Sequence, residues 1–279
     1  MPAAADAGSL AEALVGLQEL TKRLRRDCPW DREQTARTIV PHTVEEAYEV
    51  ADAANAGDPE KLLDELGDLL FQTYFLALLL EEQGAGDLEA VARSVHAKLV
   101  RRHPHVFGDA EADSAGRVRE RWEAIKTEQE GRAGVFHDVP AALPGLLHAR
   151  KVQRRAAAAG FDWPGLEGPL AKLREETAEI EAELGRTGRP APETEADPRV
   201  FAELGDLLFT VVNIARVANV DPELALRDTS KRFVARVELA ERLAGEAGET
   251  WAELDLDGQE RWYIRAKAQL GAEHDRPGR

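Results

Sequence analysis

Glu46 and Glu49 stand three residues apart, and so do Glu65 and Asp68. The same two pairs recur as Glu176 with Glu179, then Glu203 with Asp206. Residues three apart on a helix share a face. If each two pairs lie on helices that fold back on one another, four carboxylates meet across the contact. Such a group repels itself unless a cation neutralises it. An all-oxygen donor set suits a hard divalent ion, Mg²⁺ first and Mn²⁺ as the alternative. The bland reading is that a glutamate on a helix is a solvated surface group. Glu46 also has a structural use, as the capping partner of Thr43. Against this, Leu66, Leu69 and Leu70 flank Glu65 and Asp68, which predicts a largely buried helix. Gly67 and Gly205 sit inside these helices at about 1 kcal/mol each relative to alanine, which predicts close backbone approach. A di-iron bundle would need Glu-x-x-His, and no histidine here stands three residues after a glutamate. His137-Asp138 hints at a different metal-dependent phosphohydrolase pair, but it falls in a Gly- and Pro-bounded linker without partner histidines on neighbouring helices.

The elements that must position these groups come from an internal duplication. Glu65-Leu-Gly-Asp-Leu-Leu-Phe71 is repeated without change at 203–209. Glu45-Glu46-x-x-Glu49 matches Glu175-Glu176-x-x-Glu179, Lys98-Leu99-x-x-Arg102 matches Arg232-Phe233-x-x-Arg236, and Glu120-Arg121-Trp122 matches Glu260-Arg261-Trp262. The second copy carries eight extra residues between its carboxylate pairs, in the stretch from Gly185 to Pro198, which reads as a loop. Apolar spacing is helical throughout; Leu62, Leu66, Leu69, Leu70, Tyr74 and Leu78 recur at three and four. Asp58-Pro59, Asp197-Pro198 and Asp221-Pro222 each place a cap acceptor before a proline at the first helical position. Asn55 to Asp58 would turn the second helix of the pair antiparallel to the first. The reading is all-α, with two tandem repeats that are each a bundle of about four helices. The expected organisation is a disordered start at 1–9, a first domain over 10–130, a linker at 131–145, a second domain over 146–270, and a disordered tail at 271–279.

Bulk properties fit. The 279 residues include 36 basic and 52 acidic side chains, a net charge of −16. That balance argues against a nucleic-acid polymer as partner, while an acidic protein still binds nucleotides when a metal supplies the positive charge. The single cysteine, Cys28, rules out a disulfide within the chain. The start lacks the basic region and apolar run of a signal peptide. The apolar stretch from Tyr74 to Leu80 is too short to span a bilayer. A cytoplasmic protein without membrane association is expected.

Cys28-Pro-Trp-Asp31, Glu45-Glu-x-x-Glu49, Glu65-Leu-Gly-Asp68, Arg101-Arg-His-Pro-His-Val-Phe107 and Gly160-Phe-Asp-Trp163, taken together, resemble the MazG family. These are two-repeat nucleoside triphosphate pyrophosphohydrolases of the all-α NTP pyrophosphatase superfamily. The resemblance covers roughly 10–270, and implies two tandem MazG-type four-helix-bundle domains. It implies Mg²⁺ ligands at Glu46, Glu49, Glu65 and Asp68, and at Glu176, Glu179, Glu203 and Asp206. It implies nucleotide contacts at Lys172, Arg232, Phe233, Arg236 and Trp262. It further implies a homodimer that cuts (d)NTPs at the α–β bond to (d)NMP and pyrophosphate, with broad base specificity, in nucleotide-pool cleaning or stress response. The second copy is the one implied to turn over. Two departures bear on phosphate contacts. Lys126 follows Trp122 by four residues, whereas Lys267 follows Trp262 by five, and Ala235 stands where some relatives have a basic residue.

The residues make physical sense of that activity. Mg²⁺ would offset phosphate charge, and Glu45 or Glu175, beside the ligand pairs, are candidates to take a proton from water. Lys98 with Arg102, and Arg232 with Arg236, lie one turn apart and could clamp a phosphate tail; surface charge is the alternative. Trp30, Trp122, Trp163 and Trp262 are base-stacking or core residues. Two other functions compete: a metal-binding, nucleotide-sensing regulator without turnover, and a narrower pyrophosphohydrolase for dUTP or phosphoribosyl-ATP.

Overall fold

The computed structural model describes residues 4–108, 134–137, 139–187 and 195–274. Trp122, Lys126 and Asp138 therefore lie outside the described residues. The chain divides into two compact units, Met1–Glu130 and Gly131–Arg279. Every regular element is helical, and the described residues contain no strand.

The first unit contains α1 (Ala4–Asp27), α2 (Pro29–Glu33), α3 (Ala36–Ala56), α4 (Pro59–Glu82), α5 (Leu88–Arg102) and the single turn α6 (Pro104–Phe107). The connection between α3 and α4 is as tight as helix hairpins get. Gly57 closes α3 in the left-handed region at φ 68°, and Asp58 opens α4 by accepting from the amides of Glu60 and Lys61. Ile39 on α3 packs with Phe75 and Leu79 on α4, with Phe71 and Leu76 against them. α1 lies on α4, where Arg25 reaches both carboxylate oxygens of Glu82 at 2.8 Å.

The second unit contains α7 (Gly145–Ala158), α8 (Glu167–Thr187), α9 (Pro198–Val217), α10 (Pro222–Glu246), a 3₁₀ turn (Trp251–Glu253) and α11 (Leu256–His274). Asp197 and Asp221 cap α9 and α10 ahead of their prolines. α8 pairs with α9, and α10 with α11. Leu239, Ala240 and Ala244 form the α10–α11 core with Trp262 and Ala266; the alanines let the helices approach. α7 is tied across by Gln153, which donates to the Phe209 carbonyl at 2.7 Å, and by the Arg150–Asp221 ion pair.

The structure departs from expectation in four places. α1 begins at Ala4 rather than after residue 9, as an alanine-rich start of high helix propensity allows. α3 does not begin at Thr43. Its capping box is Thr35 with Thr38, Pro41 falls inside the helix, and the Thr43 hydroxyl donates to the Ile39 carbonyl. α8 runs through Gly185 to Thr187, so the loop starts later than its glycine suggested. α11 extends to His274, past 270.

Candidate metal centre

The carboxylates gather in groups of three, where the spacing predicts four. In the first unit, Glu46 and Glu49 of α3 and Glu65 of α4 each place an oxygen within 4.8 Å of the others. Asp68 is close enough for its charge to act on Glu46. Burial is the main reason the Glu46 carboxyl is pushed above the ordinary glutamate range, with Asp68 and Glu49 adding to it. Glu65 is raised for the same first reason, then by Glu49. Glu45 stays outside this group; its exposed carboxylate stands 3.7 Å from His42 Nδ1.

In the second unit, Glu176 of α8 meets Glu203 and Asp206 of α9 within 4.8 Å. A second, overlapping group of the same tightness joins Glu175, Glu176 and Glu179. Burial raises the Glu179 carboxyl, and Glu176 and Glu203 raise it further. Glu175, unlike Glu45, is therefore brought into its set. Glu176 is only 3% exposed.

One observation bears directly on whether these residues fit a cation. Glu46 Oε2 and Glu176 Oε2 are buried and have no hydrogen-bond partner. A buried carboxylate oxygen without a donor is costly. Both orphans belong to groups of converging carboxylates, where hydrogen-bond donors are scarce and a divalent ion would satisfy several oxygens at once. Oxygen-only donors fit Mg²⁺ or Mn²⁺.

The helix supplying Glu65 and Asp68 is less buried than its leucines suggested. Leu66 and Leu70 are exposed, as is Leu63 at 75%. A Cβ on Gly67 or Gly205 would meet nothing within 4 Å, so neither glycine marks a close approach in this chain. The aligned residues of α9, Phe201, Leu204 and Leu208, are exposed as well, Phe201 at 74%. Apolar spacing was legible; what covers the face was not.

A scan against family models matches the MazG nucleotide pyrophosphohydrolase domain twice, at residues 34–107 and 166–242. The nucleoside triphosphate pyrophosphohydrolase of Escherichia coli is 40% identical over 259 residues, spanning 91% of this chain and 96% of its own. The nucleoside triphosphate pyrophosphohydrolase/pyrophosphatase MazG of Thermotoga maritima is 37% identical over 265 residues, covering 94% and 97%. In Mycobacterium tuberculosis, the nucleoside triphosphate pyrophosphohydrolase is 36% identical over 152 residues, 54% of this chain and 46% of that one. This chain belongs to the MazG family.

Each MazG match spans the four carboxylate positions of one copy. The substrate candidates are distributed less evenly. Lys172 lies against the second set, with its Nζ 2.7 Å from Glu175 and 2.7 Å from Glu176. Arg232, Phe233 and Arg236 follow one another on α10. Arg232 pairs with Asp228 and donates to Thr229 Oγ1 at 3.0 Å. Phe233 is exposed and tilts against Tyr263 at 5.8 Å. Arg236 is half-buried. Trp262 is 6% exposed inside the α10–α11 core, and its indole N–H donates to Glu249. Lys98 and Arg102 lie on α5, Lys98 exposed and Arg102 half-buried.

Sequence reasoning passed over the loop anchors. Asp162 of the Gly160-Phe-Asp-Trp163 motif receives both terminal nitrogens of Arg216, at 3.0 and 2.5 Å, and Trp163 lies over Gly168. Asp31 of the Cys28-Pro-Trp-Asp31 motif is buried, and its carbonyl accepts from Arg25. These motifs fix the entries to α8 and α3. An acidic residue beside a tryptophan shortly before a long helix was the available signal.

Proposed function

We propose that the chain is a Mg²⁺-dependent nucleoside triphosphate pyrophosphohydrolase. Water attacks the α-phosphorus, the bridging bond to the β-phosphate breaks, and (d)NMP and pyrophosphate leave. Family membership supports the hydrolysis of an acid anhydride. The observation that carries the metal is the pair of orphaned buried oxygens, Glu46 Oε2 and Glu176 Oε2, each within converging carboxylates.

Glu176, Glu179, Glu203 and Asp206 would hold the ion in the second unit, and Glu46, Glu49, Glu65 and Asp68 in the first. When bound, Mg²⁺ offsets phosphate charge and acidifies water. Glu175 is better placed than Glu45 to accept a proton, since only Glu175 joins a carboxylate group. Arg232 and Arg236 present guanidinium forks on one face of α10, suited to phosphate oxygens; Arg232 would exchange Asp228 for substrate. Lys98 and Arg102 are their counterparts on α5. Phe233 offers an exposed ring to a base, with Tyr263 beside it, and Trp262 is the further candidate from the family resemblance.

The exposed stripes Leu63, Leu66, Leu70 and Phe201, Leu204, Leu208 support a homodimer, because apolar faces on the ligand-bearing helices gain by pairing with another copy. No helix among the described residues is long and apolar enough to cross a membrane. Broad base specificity and a role in nucleotide-pool cleaning or stress response complete the proposal. The test is incubation with each dNTP and Mg²⁺, assaying pyrophosphate. Release abolished by Glu49→Ala with Glu179→Ala is the expected result. No release from the wild-type chain, or release unchanged in that double variant, defeats the proposal; strong preference for one nucleotide defeats its broad specificity.

A further inference from the structure

Each unit places a tryptophan ahead of its first carboxylate-bearing helix, Trp30 before α3 and Trp163 before α8. The two are held differently. In the second unit the loop between α7 and α8 is pinned along its length. Gly160 closes α7 in the left-handed region at φ 90°. Asp162 takes both terminal nitrogens of Arg216 and also accepts from the Trp163 amide at 2.9 Å. The Trp163 ring then lies on Gly168, where an added Cβ would sit 2.7 Å from Cγ and closer still to Cδ1 and Nε1. A fixed loop and a glycine hold this indole against α8, yet Trp163 is 45% exposed. The face it occupies is the carboxylate face. Gly168 precedes Glu175 by seven residues and Glu179 by eleven, close to whole turns, so all three point the same way. Eight residues separate Gly168 from Glu176, about 12 Å along the axis. In the first unit Trp30 meets His42 edge-on, with ring centroids 6.0 Å apart. His42 stands four residues before Glu46, about 6 Å of helix.

We propose that Trp163 is the platform on which the nucleobase of the substrate stacks in the second unit. This rests on the pyrophosphohydrolase reading of that unit. With the α-phosphate at the carboxylates, a sugar and base laid along α8 extend toward Gly168, where the half-exposed indole is fixed. Stacking tolerates different bases because every base has a π face. A platform of this kind therefore fits broad base specificity without a hydrogen-bond code. A base has two faces, so Phe233 on α10 is left for the other one. The first unit offers half the span between its indole and its carboxylates, and the proposal is confined to the second.

The experiment follows pyrophosphate release by the full chain with Mg²⁺ and compares two substrates. One is dATP; the other is 1,2-dideoxyribose 5-triphosphate, which keeps the sugar and phosphates but has no base. Trp163→Leu should raise KM for dATP about ten-fold. It should hold kcat within about two-fold and leave KM for the base-less substrate where it was. Trp163→Phe, which keeps a ring, should recover most of the lost affinity. Gly168→Ala retains the indole and gains helix propensity, but its Cβ drives the ring off that face. KM for dATP should therefore rise in that variant too, so the proposal does not hang on one truncation. A change that merely loosened the fold would raise KM for both substrates. Equal rises for the two substrates, or an unchanged KM for dATP in Trp163→Leu, overturns the proposal. If the wild-type chain releases no pyrophosphate from dATP, the pyrophosphohydrolase reading falls first, and the platform with it.

Discussion

The two helix pairs present the same four carboxylates at the same spacings, yet they bury and neutralise different ones. In the first unit the buried ligand candidate of the set is Glu65, on α4, the later helix. In the second it is Glu176, on α8, the earlier helix. A lysine sits one turn before the buried glutamate in each case: Lys61 before Glu65 at 3.7 Å, Lys172 before Glu176 at 2.7 Å. The positions aligned with these lysines in the opposite copy are Arg199 and His42. Both copies therefore carry the carboxylates and a cation one turn before the first acid of the later helix, and the second copy adds a lysine before Glu176 where the first has His42. A metal set would be constrained by its ion, whereas a counter-charge need only lie one helical turn from whichever carboxylate the packing hides. The second unit holds its lysine on two carboxylates rather than one, and turnover in that unit is the proposed assignment.

The largest expected effect tests that assignment. Glu176→Gln should lower pyrophosphate release by more than about 100-fold, beyond what losing an outer partner of a metal ligand costs. Glu46→Gln, its aligned counterpart, should change the rate by less than about three-fold. Steady-state rates with one dNTP at saturating Mg²⁺ decide it. Equal losses in the two variants would mean that both copies turn over or depend on each other.

Metal loading comes next. If both sets hold Mg²⁺, free ion at about a hundred times Kd should stabilise a unit by about 2.7 kcal/mol. For units of this size that is a rise in melting temperature of roughly 5 to 10 °C. Calorimetry in Mg²⁺ and in chelator measures it, and Glu65→Gln and Glu203→Gln apportion it between units. Absence of any shift in the wild-type chain would count against a cation in either.

Much of this was legible because local chemistry dictates it. Asp-Pro starts at 58, 197 and 221 were readable since an aspartate acceptor and a proline with no amide to lose both suit a first turn. Carboxylate convergence was readable from three-residue spacing. Thr43 misled because Thr-x-x-Glu looks the same at a helix start and inside one; Thr35 and Thr38 make the real cap with hydroxyls on both sides. Leu66 and Leu70 misled because apolar periodicity reports a face seeking cover, not whether this chain covers it. The hold of Lys172 on Glu175 and Glu176 was within reach of the same spacing argument that found the carboxylates.

A smaller change would sharpen the comparison by moving the counter-charge back. His42→Lys places an ammonium one turn before Glu46, as Lys172 stands before Glu176. Mn²⁺ affinity of the first set, measured with Glu203→Gln and Asp206→Asn silencing the second, should fall about ten-fold, which is about 1.4 kcal/mol. Tighter or unchanged binding would mean that the lysine does not compete for the position.

The smallest effects concern the ion pairs that brace each unit. Arg216 grips Asp162 through two nitrogens in a partly buried setting, so Asp162→Asn should cost the second unit about 1 kcal/mol. Arg25 grips Glu82 with the same bidentate geometry, but the Glu82 side chain is 40% exposed, so solvent screening reduces the value of Glu82 to about 0.5 kcal/mol. Its hydrogen bond to Arg25 holds the Glu82 carboxyl below the ordinary glutamate range. A carboxyl with a lowered folded pKa stabilises above its unfolded pKa and loses that contribution as pH falls through the folded one. Denaturant titrations should therefore separate wild type from Glu82→Gln at neutral pH and bring the two curves together in acid, below the ordinary glutamate range. A gap that persists undiminished there would assign the loss to packing of the Arg25 stem between α1 and α4 rather than to charge.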